Sequence, residues 1–121
     1  MMERVLVMSG LTFREAQEDV ERFLHEWGKK WRRVDNHFYI FTHLSEETGE
    51  LARDIINAEL SLSTNRKPLK VSPSKEAVTR IEDDLGDILF HLFELANAYD
   101  IDLDEAFEKS LAIFKKRFGM K

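Results

Sequence analysis

HLSEETGELARD, His43 to Asp54, is the stretch whose reading decides the fold. At about 100° per residue it is helical: Ile40, Leu44, Thr48, Leu51 and Ile55 form an apolar stripe. His43, Glu47, Glu50 and Asp54 form a polar stripe beside it. EDDLGDILFHLFE, Glu82 to Glu94, repeats the layout. There Ile81, Leu85, Ile88, Leu92 and Leu95 make the apolar row, with Asp84, Asp87, His91 and Glu94 along one edge. Ionised carboxylates bordering a core are costly to bury without a partner. Two such pairs on facing helices would repel unless a cation sat between them. The spacing therefore points to a cation site made by Glu47, Glu50, Asp84 and Asp87. A single E-x-x-E is common on solvated helices, and it is the matched pair of motifs that carries the reading. His43 and His91 lie on the acid faces and read as rim or interior residues rather than ligands. Gly49 costs its helix about 1 kcal/mol relative to alanine. Its expected use is close approach of another backbone, or room beside the acids.

The remaining segments are helical too. Thr12 with Glu15 makes a capping box. From it runs a helix with Phe13, Ala16, Val20, Phe23, Leu24, Trp27 and Trp31 on one face, while Glu15, Glu18, Asp19, Glu21, Arg22 and Glu26 face solvent. Gly28 and the basic run Lys29, Lys30, Arg32, Arg33 loosen its end. The second helix is expected from Asp35 or Asn36 to about Leu60. Leu62 to Val71 reads as a loop, made basic by Arg66, Lys67 and Lys70. Ser72 then caps a third helix with Pro73 at its first position, ending near Tyr99. Asp102 and Glu105 open the last helix, whose apolar face is Leu103, Ala106, Phe107, Leu111, Phe114 and Phe118, and Gly119 closes it. The expectation is one all-α domain over residues 1–121, a four-helix bundle with an irregular arm at 1–10.

Composition narrows the function. With 121 residues, nine Phe and two Trp, one core is affordable, and only two Pro and five Gly favour helices. The net charge of −5 offers no general attraction to a nucleic acid polymer or an anionic membrane. No cysteine is present, which excludes disulfides, thiolate metal sites and cysteine nucleophiles. No apolar run reaches the roughly 18 residues that span a bilayer, and Val5 to Met8 is too short for a secretory signal. A cytoplasmic protein is expected. Phe38, Ile56, Phe90 and Phe93 are apolar residues off the main stripes, more than one small bundle needs, so a homodimer or higher homo-oligomer is expected.

Mg²⁺ prefers oxygen ligands and commonly bridges carboxylates to substrate phosphates. Here the residues resemble a known pattern. E-E-T-G-E-L-A from Glu46 and D-L-G-D-I-L-F from Asp84 are similar to the E-E-x-x-E and E-x-x-D signature of the MazG-like all-α nucleotide pyrophosphohydrolases. Leu95 to Phe107 and the opening LTFREAQEDV also look like that family. The resemblance implies a MazG-like four-helix fold completed by dimerisation. It implies hydrolysis of a nucleoside triphosphate to monophosphate and pyrophosphate with Mg²⁺, Mn²⁺ being a possible substitute. Glu47, Glu50, Asp84 and Asp87 would be the metal ligands, and Glu46 with Glu47 would serve catalysis. Arg53, Lys75, Arg80 and Asn97 are the candidate substrate contacts. Trp31, His37 and Phe41 are weaker candidates for the base, because Trp31 and Phe41 read better as core.

Three departures from the family pattern stand out. Asp84 replaces the usual Glu, shortening one ligand by a methylene. The segment between the acid pairs is long. Ser110 to Phe114 lacks the Lys and Asn that many members carry on the last helix. House-cleaning of non-standard or surplus nucleotides is the role expected. The alternatives are a phosphoribosyl-ATP pyrophosphohydrolase and a catalytically quiet module binding nucleotide or a partner. A carboxylate di-iron bundle would need Glu-x-x-His from two helices, which the acid motifs do not supply.

Overall fold

The computed structural model describes residues 10–31, 37–62 and 73–121, with side chains omitted for 28–31, 61 and 62. The N-terminal arm, the basic residues Arg32 and Arg33, the Arg66 to Lys70 loop and the expected cap Ser72 lie outside the described residues, as does the side chain of Trp31. Four helices account for most of the rest: α1, Phe13–Trp31; α2, His37–Leu62; α3, Lys75–Ala98; and α4, Leu103–Arg117. No strand occurs among the described residues, so the all-α expectation holds.

Two compact units divide the chain. One contains α1, residues 93–98 of α3, and α4; the other contains α2 and residues 75–92 of α3. In the first, α1 opens with the expected capping box. Thr12 N–H donates to Glu15 Oε1 at 3.2 Å, and Glu15 N–H donates to Thr12 Oγ1 at 3.1 Å. The next two orphan donors, Phe13 and Arg14 N–H, are taken by the Asp104 carboxylate of α4 at 3.0 and 3.2 Å. A helix N-terminus favours negative charge, so Asp104 caps a helix far from it in sequence. Arg14 adds an ion pair to Asp102. That guanidinium, with the Glu105 and Asp104 N–H groups, holds the Asp102 carboxyl below its usual range. Asp102 is the N-cap of α4, as the sequence predicts.

Gln17 is the hub of this unit. It is 6 % exposed and fully bonded. Its Nε2 donates to Asn97 Oδ1 at 3.0 Å and to the Ile101 carbonyl at 2.7 Å, while Oε1 accepts from Leu103 N–H at 2.9 Å. Asn97 Nδ2 returns a bond to the Gln17 carbonyl at 2.9 Å. One amide thus ties α1 to the end of α3 and the start of α4. Beside it Phe13 meets Phe107 edge-on, centroids 5.7 Å apart, and Phe93 at 6.0 Å. Phe93 is therefore engaged within its own unit, not left over for a partner.

Both described C-termini with full geometry are Schellman turns, in which two bonds recover the last orphan carbonyls. At the end of α3, Ile101 N–H reaches the Ala96 carbonyl at 2.9 Å and Asp100 N–H the Asn97 carbonyl at 3.2 Å. The left-handed residue there is Asp100, φ 54°. At the end of α4 the equivalent bonds are Met120 to Lys115 at 2.7 Å and Gly119 to Lys116 at 3.2 Å, with Gly119 at φ 69°.

In the second unit α2 and α3 run antiparallel. His43 lies against His91, Glu47 feels the charge of Asp87, and Asp54 sits beside Asp84. Ascending numbers on α2 thus meet descending numbers on α3. Ala58 of α2 and Ala77 of α3 are both almost wholly buried. Ile40 is the most buried apolar residue of α2, at 2 % exposure. Two expectations need correction. Ser74, not Ser72, caps α3, accepting the Ala77 N–H at 3.2 Å, so Pro73 precedes the cap instead of occupying the first helical position. The apolar rows are also less covered than their periodicity predicts. Ile55, Leu85 and Leu92 are exposed, and α4 has no buried residue, Phe107, Leu111, Phe114 and Phe118 included. Periodicity finds an apolar face, but one chain this short lacks the area to cover every such face.

Candidate metal centre and active site

The acid motifs meet on the α2–α3 pair. Glu47 and Glu50 are one turn apart on α2, and the antiparallel register brings Asp84 of α3 opposite them. One carboxylate oxygen from each lies within 4.8 Å of the other two. Asp84 is 7 % exposed, Glu47 is half-buried and Glu50 faces solvent. Glu47 Oε2 and Asp84 Oδ2 are buried and have no hydrogen-bond partner. Buried polar atoms are nearly always bonded, so two orphans on adjacent acids form an unsatisfied oxygen cluster.

The electrostatics follow from that crowding. Burial pushes the Glu47 carboxyl above its usual value, and the charges of Glu50 and Asp87 push it further. Asp84 is pushed up to about 6. The largest cause is the hydrogen bond its acid form shares with Asp54, followed by burial and the charges of Asp54, Glu50 and Asp87. Protons partly relieve repulsion among acids. A divalent cation relieves it better, and an all-oxygen donor set suits a hard cation such as Mg²⁺, Mn²⁺ or Ca²⁺. The residues present fit such an ion.

The other expected residues fall around this centre or elsewhere. Asp87 is exposed and outside the 4.8 Å group, though its charge acts on both Glu47 and Asp84. Glu46 is exposed, with Oε2 3.7 Å from His43 Nδ1. His43 in turn stacks on His91, centroids 5.7 Å apart and planes 20° apart, and meets the Tyr39 ring at 4.4 Å. An imidazole and phenol layer thus borders the acids on their Glu47 and Asp87 side. Arg53, Lys75 and Arg80 are exposed, as are His37 and Phe41. Asn97 belongs to the other unit, where both ends of its amide are engaged with Gln17. Phe41 was expected in the core but is 58 % exposed. A Cβ on Gly49 would meet nothing within 4 Å, so among the described residues no backbone approaches it. Open space beside the acids is what that glycine provides.

Asp54 is the residue that spacing underrated. It stands one turn beyond Glu50 on the same stripe, which was the available signal. Its approach to Asp84 depends on the register of the opposing helix, which α2 alone does not encode.

Comparison with known proteins agrees with this geometry. The model of the MazG nucleotide pyrophosphohydrolase domain matches residues 35–118. YpjD of Bacillus subtilis (strain 168), an uncharacterised protein, is 31 % identical over 110 residues, covering 91 % of this chain and 89 % of the relative. The crystal structure of YpjD from Bacillus subtilis, provisionally described as a pyrophosphatase, superposes with a TM-score of 0.58 at 30 % identity. That match covers 91 % of this chain and 99 % of the YpjD chain. The matched domain includes both acid motifs and the oxygen cluster they build, and the chain belongs to the MazG family of all-α nucleotide pyrophosphohydrolases.

Proposed function

We propose that the chain is a Mg²⁺-dependent nucleoside triphosphate pyrophosphohydrolase, converting triphosphate and water to monophosphate and pyrophosphate. The observation that carries this reading is the pair of buried, unpartnered oxygens on Glu47 and Asp84. Glu47, Glu50, Asp84 and Asp87 are the ligands we assign to Mg²⁺, with Mn²⁺ as a substitute. Bound there, the ion would neutralise phosphate charge and lower the pKa of a coordinated water. Glu46, exposed and next to Glu47 in the chain, is the residue we assign to orient the attacking water and accept its proton. Arg53, Lys75 and Arg80, all exposed on the helices that carry the acids, are the cations assigned to the triphosphate. Asn97 is left out of that set because Gln17 occupies its amide.

House-cleaning of non-standard or surplus nucleotides in the cytoplasm is the role that fits such a reaction. Among the described residues no helix is long and apolar enough to cross a membrane. The exposed apolar faces support a homodimer: Phe38 at 82 %, Ile56 at 55 % and Phe118 at 73 % are unlike a finished monomer surface. Sedimentation at micromolar concentration is expected to give a dimer, and a monomer throughout would refute that part.

The activity test is pyrophosphate release from a panel of nucleoside triphosphates with Mg²⁺. Glu47→Gln and Asp87→Asn are each expected to lower kcat by about 100-fold or more. Release of orthophosphate alone, or activity surviving both substitutions, would overturn the assignment.

A further inference from the structure

Glu46 is the least anchored of the acids assigned to the reaction. Its side chain is 64 % exposed, and it stands about 100° round α2 from Glu47, off the stripe that carries the assigned ligands. An exposed glutamate has several rotamers open to it, and holding one of them costs entropy that a neighbour must offset.

His43 is that neighbour. Its Nδ1 lies 3.7 Å from Glu46 Oε2, too long for a formed hydrogen bond, though a shift of about 0.5 Å would make one. Nδ1 carries an N–H in the imidazolium and in one neutral tautomer, so either form can donate to the carboxylate. Helix geometry makes the contact directional. Residues three and four apart are neighbours on a helix surface, so His43 lies one turn before both Glu46 and Glu47. A contact with His43 therefore draws the Glu46 carboxylate toward the Glu47 edge.

The imidazole is itself held from two helices. It stacks on His91 of α3, centroids 5.7 Å apart and planes 20° apart, and the Tyr39 ring of α2 meets it at 4.4 Å. Phe90 in turn meets His91 edge-on at 5.6 Å. A ring needed only for packing could be phenylalanine, which keeps such contacts and has no nitrogen to offer. We infer that His43 is a positioning residue for Glu46, its Nδ1 holding that carboxylate at the Glu47 edge while His91 and Tyr39 fix the ring. This rests on the hydrolase reading above, in which Glu46 orients the attacking water, and it supplies what orients Glu46.

The test compares His43→Phe, which keeps the ring and loses the donor, with His43→Asn, whose amide N–H stands near the place of Nδ1. Pyrophosphate release by the full chain is measured with Mg²⁺, and circular dichroism melts follow the fold. His43→Phe is expected to lower kcat about 10-fold with KM changed less than about 3-fold, and His43→Asn to recover part of that loss despite a lower melting point. In a Glu46→Gln background, His43→Phe should cost less than about 2-fold, because nothing is left to position. Parent-like kcat in His43→Phe would overturn the proposal. So would His43→Asn falling below His43→Phe, or the full loss persisting beside Glu46→Gln; each of these leaves the hydrolase reading standing. Should Glu46→Gln be too slow to measure, the contrast between Phe and Asn decides. A parent that releases no pyrophosphate from any nucleotide would sink the hydrolase reading, and this inference with it.

Discussion

Replacing Gln17 by alanine removes the one side chain that joins three helix segments. The loss can be counted. Nε2 gives up bonds to Asn97 Oδ1 and the Ile101 carbonyl, and Oε1 gives up the Leu103 N–H. At about 1 kcal/mol net per hydrogen bond, the expected destabilisation is about 3 kcal/mol, larger if the stranded groups stay dry. With an unfolding entropy of about 2.1 cal/mol/K per residue, a chain of 121 residues should melt about 12 °C lower. Gln17→Met keeps most of the volume and none of the bonding, so it separates lost hydrogen bonds from lost packing. Gln17→Glu retains the acceptor for Leu103 but sets a carboxylate against two other acceptors, and should be at least as harmful. Thermal and urea melts followed by circular dichroism give the answer, at one fixed protein concentration because any assembly shifts the midpoint. If Gln17→Ala and Gln17→Met both fall within about 1 kcal/mol of the parent, the hub has been overvalued.

Three further outcomes follow from the site and the turns. Because Asp84 titrates near 6 in the folded chain against an ordinary value near 3.8, the folded state holds its proton more tightly. The stability this lends is fully present below about pH 4 and is lost as pH rises through 6. Melts in EDTA should therefore decline from pH 5 to pH 7.5, and Asp84→Asn should flatten that decline; equal slopes would refute it. Gly49→Ala meets open space and improves helix propensity, so it should stabilise the chain by about 1 kcal/mol in urea melts while lowering activity if nucleotide uses that space. Asp100→Gly relieves a left-handed aspartate in a Schellman turn, and a gain of about 1 kcal/mol is expected in the same assay.

Sequence reading reached the helices and the acid motifs because both are written locally. A 3.6-residue period, the Thr12–Glu15 box and the Asp102 cap each depend on residues within a turn or two. What escaped depends on residues distant along the chain. Asp104 caps α1 from about ninety positions away, and Gln17 sits among apolar positions as if it were a misplaced polar residue. The periodicity of α1 contains a hint, since Gln17 is one turn from Phe13 and Ala16 precedes it on the core face. Nothing local names its partners. Asn97 illustrates the converse case: read from the sequence it is an amide near the motif helix, and only the structure shows that it exchanges hydrogen bonds with Gln17. The start of α3 was misplaced for a simpler reason, since Ser72 and Ser74 flank the same proline and only the Ala77 bond tells them apart.

The orphaned oxygens of Glu47 and Asp84 have a consequence beyond chemistry at phosphorus. A fold that crowds like charges together is stabilised by whatever neutralises them, so folding and cation binding share one equilibrium. By mass action a free ion at ten times its dissociation constant adds about 1.4 kcal/mol to the folded state. For a domain of ordinary marginal stability that is a tenfold change in the unfolded fraction. The amount of intact protein in a cell would then track the supply of free divalent ions, before any nucleotide is bound.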